Sequence, residues 1–401
     1  MNPKLRQVQF QQVQYQNQPM WFLDDPHRLT ERQMVLPYPL ARMVSMMDGS
    51  RSVAVLHQIV QSEARADVPL SAVTDAIQQL DEALLLDNER SQAAIAKIKA
   101  EWSAQAFRPP AFAGLSYPDN SAELDTFLQA YSADDTELAE WGAWHGRAIV
   151  APHIDYQRGG PVYAKVWQRA AAAINEADLI LIWGTDHKGG LASLTLSSIP
   201  YATPYGILPT DQALVDELAA TIGQDAAYAL ELNHQQEHSI ELAAVWLHHI
   251  RRESCPVIPI LIGSFHHFTP DGHPKRDPNI VAFLDKLKAL TAGKKVLSIA
   301  SVDLAHVGPA FDSDYLMGPP ERAALRDFDD RLMGTIERGD KEAFYQQLAA
   351  DRNANNVCGF SPTYLMLDYL GETQGQRVAY DQCSADQQDL SVVSICGMLL
   401  D

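Results

Sequence analysis

Ala151-Pro152-His153-Ile154-Asp155-Tyr156 is the stretch on which the reading of this 401-residue chain turns. Ala148, Ile149 and Val150 lead into it with the short, branched character of a buried strand, and Gly159-Gly160-Pro161 after it opens a helix-like segment. Ligands of open α/β sheets bind beyond the carboxyl ends of the strands, so His153 stands where such a fold does its chemistry. The arrangement recurs twice. Leu179 to Trp183 is followed by Gly184-Thr185-Asp186-His187, and Val296 to Ser301 by Asp303 and His306. If the three runs are neighbouring parallel strands, their ends converge on one rim, and neutral imidazole is the commonest transition-metal ligand.

Outward from these runs, strand-like and helix-like segments alternate. Helices are expected at Ala122 to Tyr131, Val162 to Ile174, Gln212 to Ile222, His238 to Ile250, Arg322 to Ile336, Lys341 to Ala349 and Pro362 to Leu370. Further strands are expected at Leu191 to Ser197, Val257 to Ile262 and Val392 to Gly397. This alternation predicts an α/β fold, a mixed or parallel sheet flanked by helices. Residues 1–105 read as a separate, small, mainly α domain of winged-helix-like type. Its helices fall at Leu36 to Met47, Val53 to Val60 and Ser71 to Leu85, with Asp48-Gly49 as a break, Ser50 as a cap and Ser91 to Phe107 as a helical connector. Arg108-Pro109-Pro110 marks the boundary, since successive prolines forbid a helix, and residues 106–401 form the second domain.

Charge narrows the function classes. The net charge is -20, and residues 1–105 hold ten Lys/Arg against twelve Asp/Glu with no basic helix face. That argues against nucleic acid, whose binders neutralise phosphates, and against an anionic membrane surface. No apolar run approaches about 18 residues, so a cytoplasmic, soluble protein is expected. Cys255, Cys358, Cys383 and Cys396 form no C-x-x-C pair and read as reduced thiols. No G-x-S-x-G, Walker A or H-E-x-x-H motif is present.

With His153 and His187 as metal ligands, the third ligand is open between Asp303, Glu237 and Cys358. Glu237-His238-Ser239-Ile240-Glu241 begins a helix whose positive end favours ionised carboxylates. Cys358 precedes another helix, where a thiol is expected to deprotonate more easily. Each residue also has a plainer reading: turn histidines for 153 and 187, a capping turn for Asp303 and His306, helix capping for Glu237 and Glu241, a small buried hydrophobe for Cys358. His248, His249, Arg251 and Arg252 suit a helix carboxyl end. His266, His267 and His273 read as an incidental surface cluster, and His234 as a lid residue.

The second domain resembles the Memo-like proteins, which are similar in fold to class III extradiol ring-cleaving dioxygenases. The resemblance is carried by Arg108-Pro109, Ala113-Gly114, Ser116-Tyr117, Ala151-Pro152-His153 with Tyr156, Gly184 to His187, Glu237 to Glu241, Ser301 to His306 with Gly308, and Cys358-Gly359 with Pro362. It implies a metal site at His153, His187 and Cys358, with Asp303 and His306 close by. Lys188 stands where the family commonly has a second histidine, and Asp155 where a glycine often precedes the tyrosine. The expected function is a non-haem, metal-dependent oxidoreductase of dioxygenase type acting on a small molecule. In it His306 is the general acid/base, Asp303 orients it or joins the metal, and Glu237 and His238 lie behind the ligands. The divalent transition metal expected is iron, with copper or zinc suited to a softer, sulfur-containing set. The rivals are a non-catalytic metal- or partner-binding protein, partnered through residues 1–105, and a metal-dependent hydrolase.

Overall fold

The computed structural model describes residues 2–15, 18–25, 29, 32, 34–132, 138, 141–189, 193–265 and 272–401. The chain divides into two compact units, Met1–Gln105 and Ala106–Asp401.

The first unit contains β1 (Gln9–Tyr15), β2 (Gln18–Asp24) and β3 (Met34–Pro37), then α1 (Tyr38–Ser45), α2 (Val53–Ala64), α3 (Leu70–Glu82) and α4 (Glu89–Ser103). The strands form an antiparallel sheet in the order β1-β2-β3. The sequence predicts only helices here, because Gln-rich β1 shows no clean alternation of apolar and polar residues. Ser52, not Ser50, caps α2 through the Val55 amide. Leu56, Val60, Val73, Ala76 and Leu80 bury the helix faces in one core with Leu23, Leu36 and Met43.

The second unit runs α5 (Ser121–Ala130), β4 (Ala148–Ala151), α6 (Tyr156–Arg169), α7 (Ala171–Glu176), β5 (Leu179–Thr185), β6 (Leu194–Leu196), β7 (Tyr201–Thr203), β8 (Gly206–Leu208), α8 (Gln212–Ile222) and α9 (Gln224–Ala227). It continues with α10 (His238–Ile250), β9 (Val257–Ile262), α11 (Pro278–Thr291), β10 (Val296–Ser301), β11 (His306–Val307), α12 (Pro319–Glu337), α13 (Lys341–Ala349), α14 (Phe360–Leu370), β12 (Gly375–Ser384) and β13 (Val392–Leu400). Eight strands form one mixed sheet in the order β11-β13-β4-β10-β5-β9-β6, with β12 on β13. The four central strands β4, β10, β5 and β9 are parallel; β13 and β6 flank them antiparallel.

Alternate residues of these strands face two different cores. Val150, Leu181, Trp183 and Ala300 pack with α8, α11, α12, α13 and α14. Ile149, Ile180, Ile182 and Ile299 pack with α5, α6, α7 and α10. Burial on both faces explains why these strands read as continuous apolar runs. The sequence predicts neither β12, β7 and β8 nor α11. Leu191 and Ala192 of the expected 191–197 strand lie outside the described residues, as do His266 and His267.

The expected boundary at Arg108 is built into the second unit. The Arg108 amide donates to Pro200 O at 2.7 Å, and its buried guanidinium pairs with buried Glu241 of α10. Glu241 also accepts from Tyr117 Oη and from the amides of Ala111 and Phe112, both at 2.8 Å. One carboxylate thus ties residues 108–117 to α10. Removing one member of a buried pair strands its partner, at about 3–5 kcal/mol. Glu241→Ala should therefore lower the unfolding free energy measured by denaturant titration by that much. Glu217→Ala, which breaks the exposed pair with Lys286, should leave it nearly unchanged. Equal effects of the two substitutions would contradict this account.

Candidate metal centre

Register brings the site together. Ser301 at the end of β10 pairs with Ala151 of β4 on one side and Gly184 of β5 on the other. Two residues beyond that row stand His153, Asp303 and Asp186, with His187 one further. α10 lies against β5, so its amino end delivers Glu237 and His238 to the same rim. Gly184 permits this approach: a Cβ there would lie 2.7 Å from Ser239 Oγ and from Ile240. Gly359 does the same for the segment before α14, where a Cβ would meet Val302 at 2.7 Å and Asp303 O at 2.8 Å. That contact sets Cys358 against the histidines.

The ring nitrogens of His153, His187 and His238 that can bind a metal all lie within 4.8 Å of one another. Each ring is oriented through its other nitrogen. His153 Nδ1 lies 2.9 Å from Ser301 O, His187 Nδ1 2.9 Å from Glu237 Oε1, and His238 Nδ1 3.2 Å from the same oxygen. With Nδ1 donating to oxygen, Nε2 of His153 is left with its lone pair, and that of His187 gains one when the ring gives up its second proton, the arrangement seen in metal-ligating histidines. Cys358 Sγ lies 3.2 Å from His153 Nε2 and 3.5 Å from Asp303 O. The donor set, imidazoles with one thiol, suits a borderline or soft transition metal, and the three histidines can hold one.

Charge is tuned by burial and by one carboxylate. Burial, with the neighbouring His187 and His238, pushes His153 well below the ordinary imidazole range, and burial pushes His238 down to about 4. Burial also opposes charge on His187, but the Glu237 carboxylate and Cys358 outweigh it and hold its pKa well above the ordinary value. Glu237 is 1% exposed; burial disfavours its charge, yet His187, His238 and the Ser239 amide keep it ionised.

The structure places the remaining candidates as follows. Asp303 Oδ1 accepts from the His153 and Ile154 amides at 2.9 and 3.2 Å, while Oδ2 lies 3.7 Å from His153 Nε2 and 4.0 Å from His306 Nε2. Burial pushes Asp303 up to about 6, against those two amides. His306 sits on β11 with Nδ1 3.1 Å from Asn356 O, and burial pushes it down to about 4. Glu237, an expected alternative ligand, spends its oxygens orienting His187 and His238 and capping α10. His238 is not behind the ligands: its ring stacks on His187 with centroids 4.5 Å apart. Cys358 departs from expectation in charge, since burial raises its thiol despite the helix start nearby. Asp155 is no free rim carboxylate; it caps α6 and pairs with Arg158. His234 is no lid: it is fully buried, bonded to Tyr201 Oη at 2.7 Å and Thr195 O at 3.1 Å. His248 is buried against Thr203, and His249 meets Asp125. The sequence gives no hint of Asn233, whose amide holds buried Asp186 at 2.8 Å.

The profile of the family described as "Memo-like protein" matches residues 108–399. The chain belongs to this family. A MEMO1 family protein of Aquifex aeolicus is 26% identical over 378 residues, 94% of each chain, so the likeness extends into the first unit. A MEMO1 family protein of Methanosarcina barkeri is 28% identical over 289 residues, 71% of this chain and 96% of its own length. A crystal structure of an uncharacterized Escherichia coli K12 protein covers 63% of this chain and 99% of its own, at 15% identity and a TM-score of 0.37, too distant to carry an argument. Among the described residues no helix is long and apolar enough to cross a membrane.

The raised pKa of His187 has a signed consequence for the metal-free protein. Its stabilising pair with Glu237 is fully present below the ordinary value of 6.5 and is lost as pH rises through the higher folded value. Glu237→Gln should therefore lower the melting temperature of metal-free protein more at pH 6 than at pH 10. An equal drop at both would show that the pair is not ionic.

Proposed function

We propose that the second unit of this Memo-like protein is a metal-dependent oxidoreductase of non-haem type that acts on a small molecule at this rim. His153 and His187 hold the metal with Cys358 as third ligand, and His238 is a further imidazole within reach. The observation that carries the reading is Cys358 Sγ 3.2 Å from His153 Nε2, beside a cluster in which the ring nitrogens of His153, His187 and His238 lie within 4.8 Å of one another and the Nδ1 atoms of His153 and His187 are already spent on oxygen acceptors.

Iron is the metal we favour, and copper(I) or zinc also suit a thiolate among imidazoles. A bound redox metal supplies one-electron chemistry and open positions for substrate and dioxygen. The protein's own groups do the rest. His306, neutral at physiological pH and oriented by Asn356 O through Nδ1, presents Nε2 as a general base, with Asp303 Oδ2 4.0 Å from that nitrogen. A recess of about 240 Å³ opens beside Cys358, Asp186 and Asn356. Four free cysteines fit a reducing, cytoplasmic setting. The first unit serves as a docking module for a protein partner.

Protein purified without chelator should carry near-stoichiometric iron, and His153→Ala/His187→Ala should retain less than about a tenth of it. Oxygen uptake with catechol-like compounds should follow the iron. Zinc in its place would turn the reading toward hydrolysis by metal-activated water. Absence of any bound metal, with partner binding intact in the double variant, would replace it by a non-catalytic role.

A further inference from the structure

A second recess lies at the opposite end of the sheet. It holds about 500 Å³ and is built where the parallel strands begin: Arg147 directly precedes β4, Lys295 directly precedes β10, and Leu297 is on its floor. The six residues of β10 span roughly 20 Å, so this recess is remote from the histidines.

Its charge runs against that of its surroundings. The second unit carries 39 Asp/Glu against 21 Lys/Arg, yet Arg147, Lys288, Lys294 and Lys295 line the recess with Glu176 as the one carboxylate. Glu176 is shared by His145 at 3.2 Å and Lys295 at 3.4 Å. Lys294 reaches Asp211 only at 3.8 Å, and Lys288 has no carboxylate partner among the described residues. Arg147 is held rigidly by the main-chain oxygens of Leu370, Glu372 and Asp401. An adjoining recess shares Arg147 and is mixed in charge, with Arg338 and Lys341 beside Glu372 and Asp401. Between the cations the floor is apolar, made by Ala173, Ala177, Leu297 and the ring of Tyr369, whose hydroxyl is fixed by Thr291 at 2.8 Å.

We propose that this recess binds a phosphorylated small molecule that also carries a flat apolar body, the chemistry of a mononucleotide. Lysines at the rim act as point charges for phosphate, the floor accepts the apolar part, and the volume lies in the ordinary range of about 300–1,000 Å³ for ligand sites. The site is independent of the metal centre and stands or falls separately from it.

The test is calorimetric titration of the full chain with ADP at low ionic strength, with pyrophosphate as the comparison. Saturable ADP binding with a Kd below about 1 mM is expected, weaker for pyrophosphate and weakened by added salt. Lys288→Glu/Lys294→Glu should weaken it at least about tenfold, with an unchanged melting profile as the check on folding. If that variant does not fold, Lys288→Gln alone should still weaken binding. His153→Ala/His187→Ala should leave ADP affinity unchanged. No saturable ADP binding, affinity indifferent to the lysine substitutions, or loss of binding in the histidine variant would each overturn the proposal. Equal affinity for pyrophosphate and ADP would overturn the apolar half of it.

Discussion

The carboxylate of Glu237 is the constraint on which the geometry of the candidate metal centre depends. It is an ion with almost no exposure to water, and such an ion persists only when its oxygens are fully engaged. Glu237 meets that demand with the His187 amide, the His187 and His238 rings and the Ser239 amide at the start of α10. The same contacts fix two imidazoles in one orientation and lock the helix start to the strand end. Stability and site geometry are therefore one interaction. Its neighbour one turn along, Glu241, plays the matching part for residues 108–117, and both charges draw on the positive end of one helix.

The parallel register supplies the other half. Because β4, β10 and β5 are adjacent and end level with one another, residues 153, 187 and 303 reach one rim without any long loop. Two glycines make the rim close-fitting. Gly184 lets α10 press on β5, and Gly359 lets the Cys358 segment press on Val302 and Asp303. Neither needs an unusual backbone; each is glycine because a Cβ has nowhere to go.

Much of this is legible in the sequence for a physical reason. A strand buried on both faces is a plain apolar run, so β4, β5, β9 and β10 announce themselves, and a polar residue straight after such a run marks a strand end. What escaped is what depends on long-range pairing. β1 and β12 expose enough of their residues to lose the apolar pattern. α11 is different, since Asp277 as cap and Ile280, Phe283, Leu284 and Leu287 at helical spacing are a readable signal. His238 reads as a neighbour of Glu237, but only the fold shows that both it and His187 turn to the same oxygen. The raised pKa of Cys358 is likewise invisible beforehand: a helix start lowers a thiol's pKa in water, and burial reverses the sign.

The central claim is that imidazoles from two strand ends and a sulfur from the segment before α14 share one ion. X-ray absorption at the edge of the bound metal tests it most directly. The account predicts imidazole scattering together with one sulfur at about 2.3 Å, the sulfur disappearing in Cys358→Ser. A first shell of oxygen alone, or a sulfur signal that survives that substitution, would contradict it.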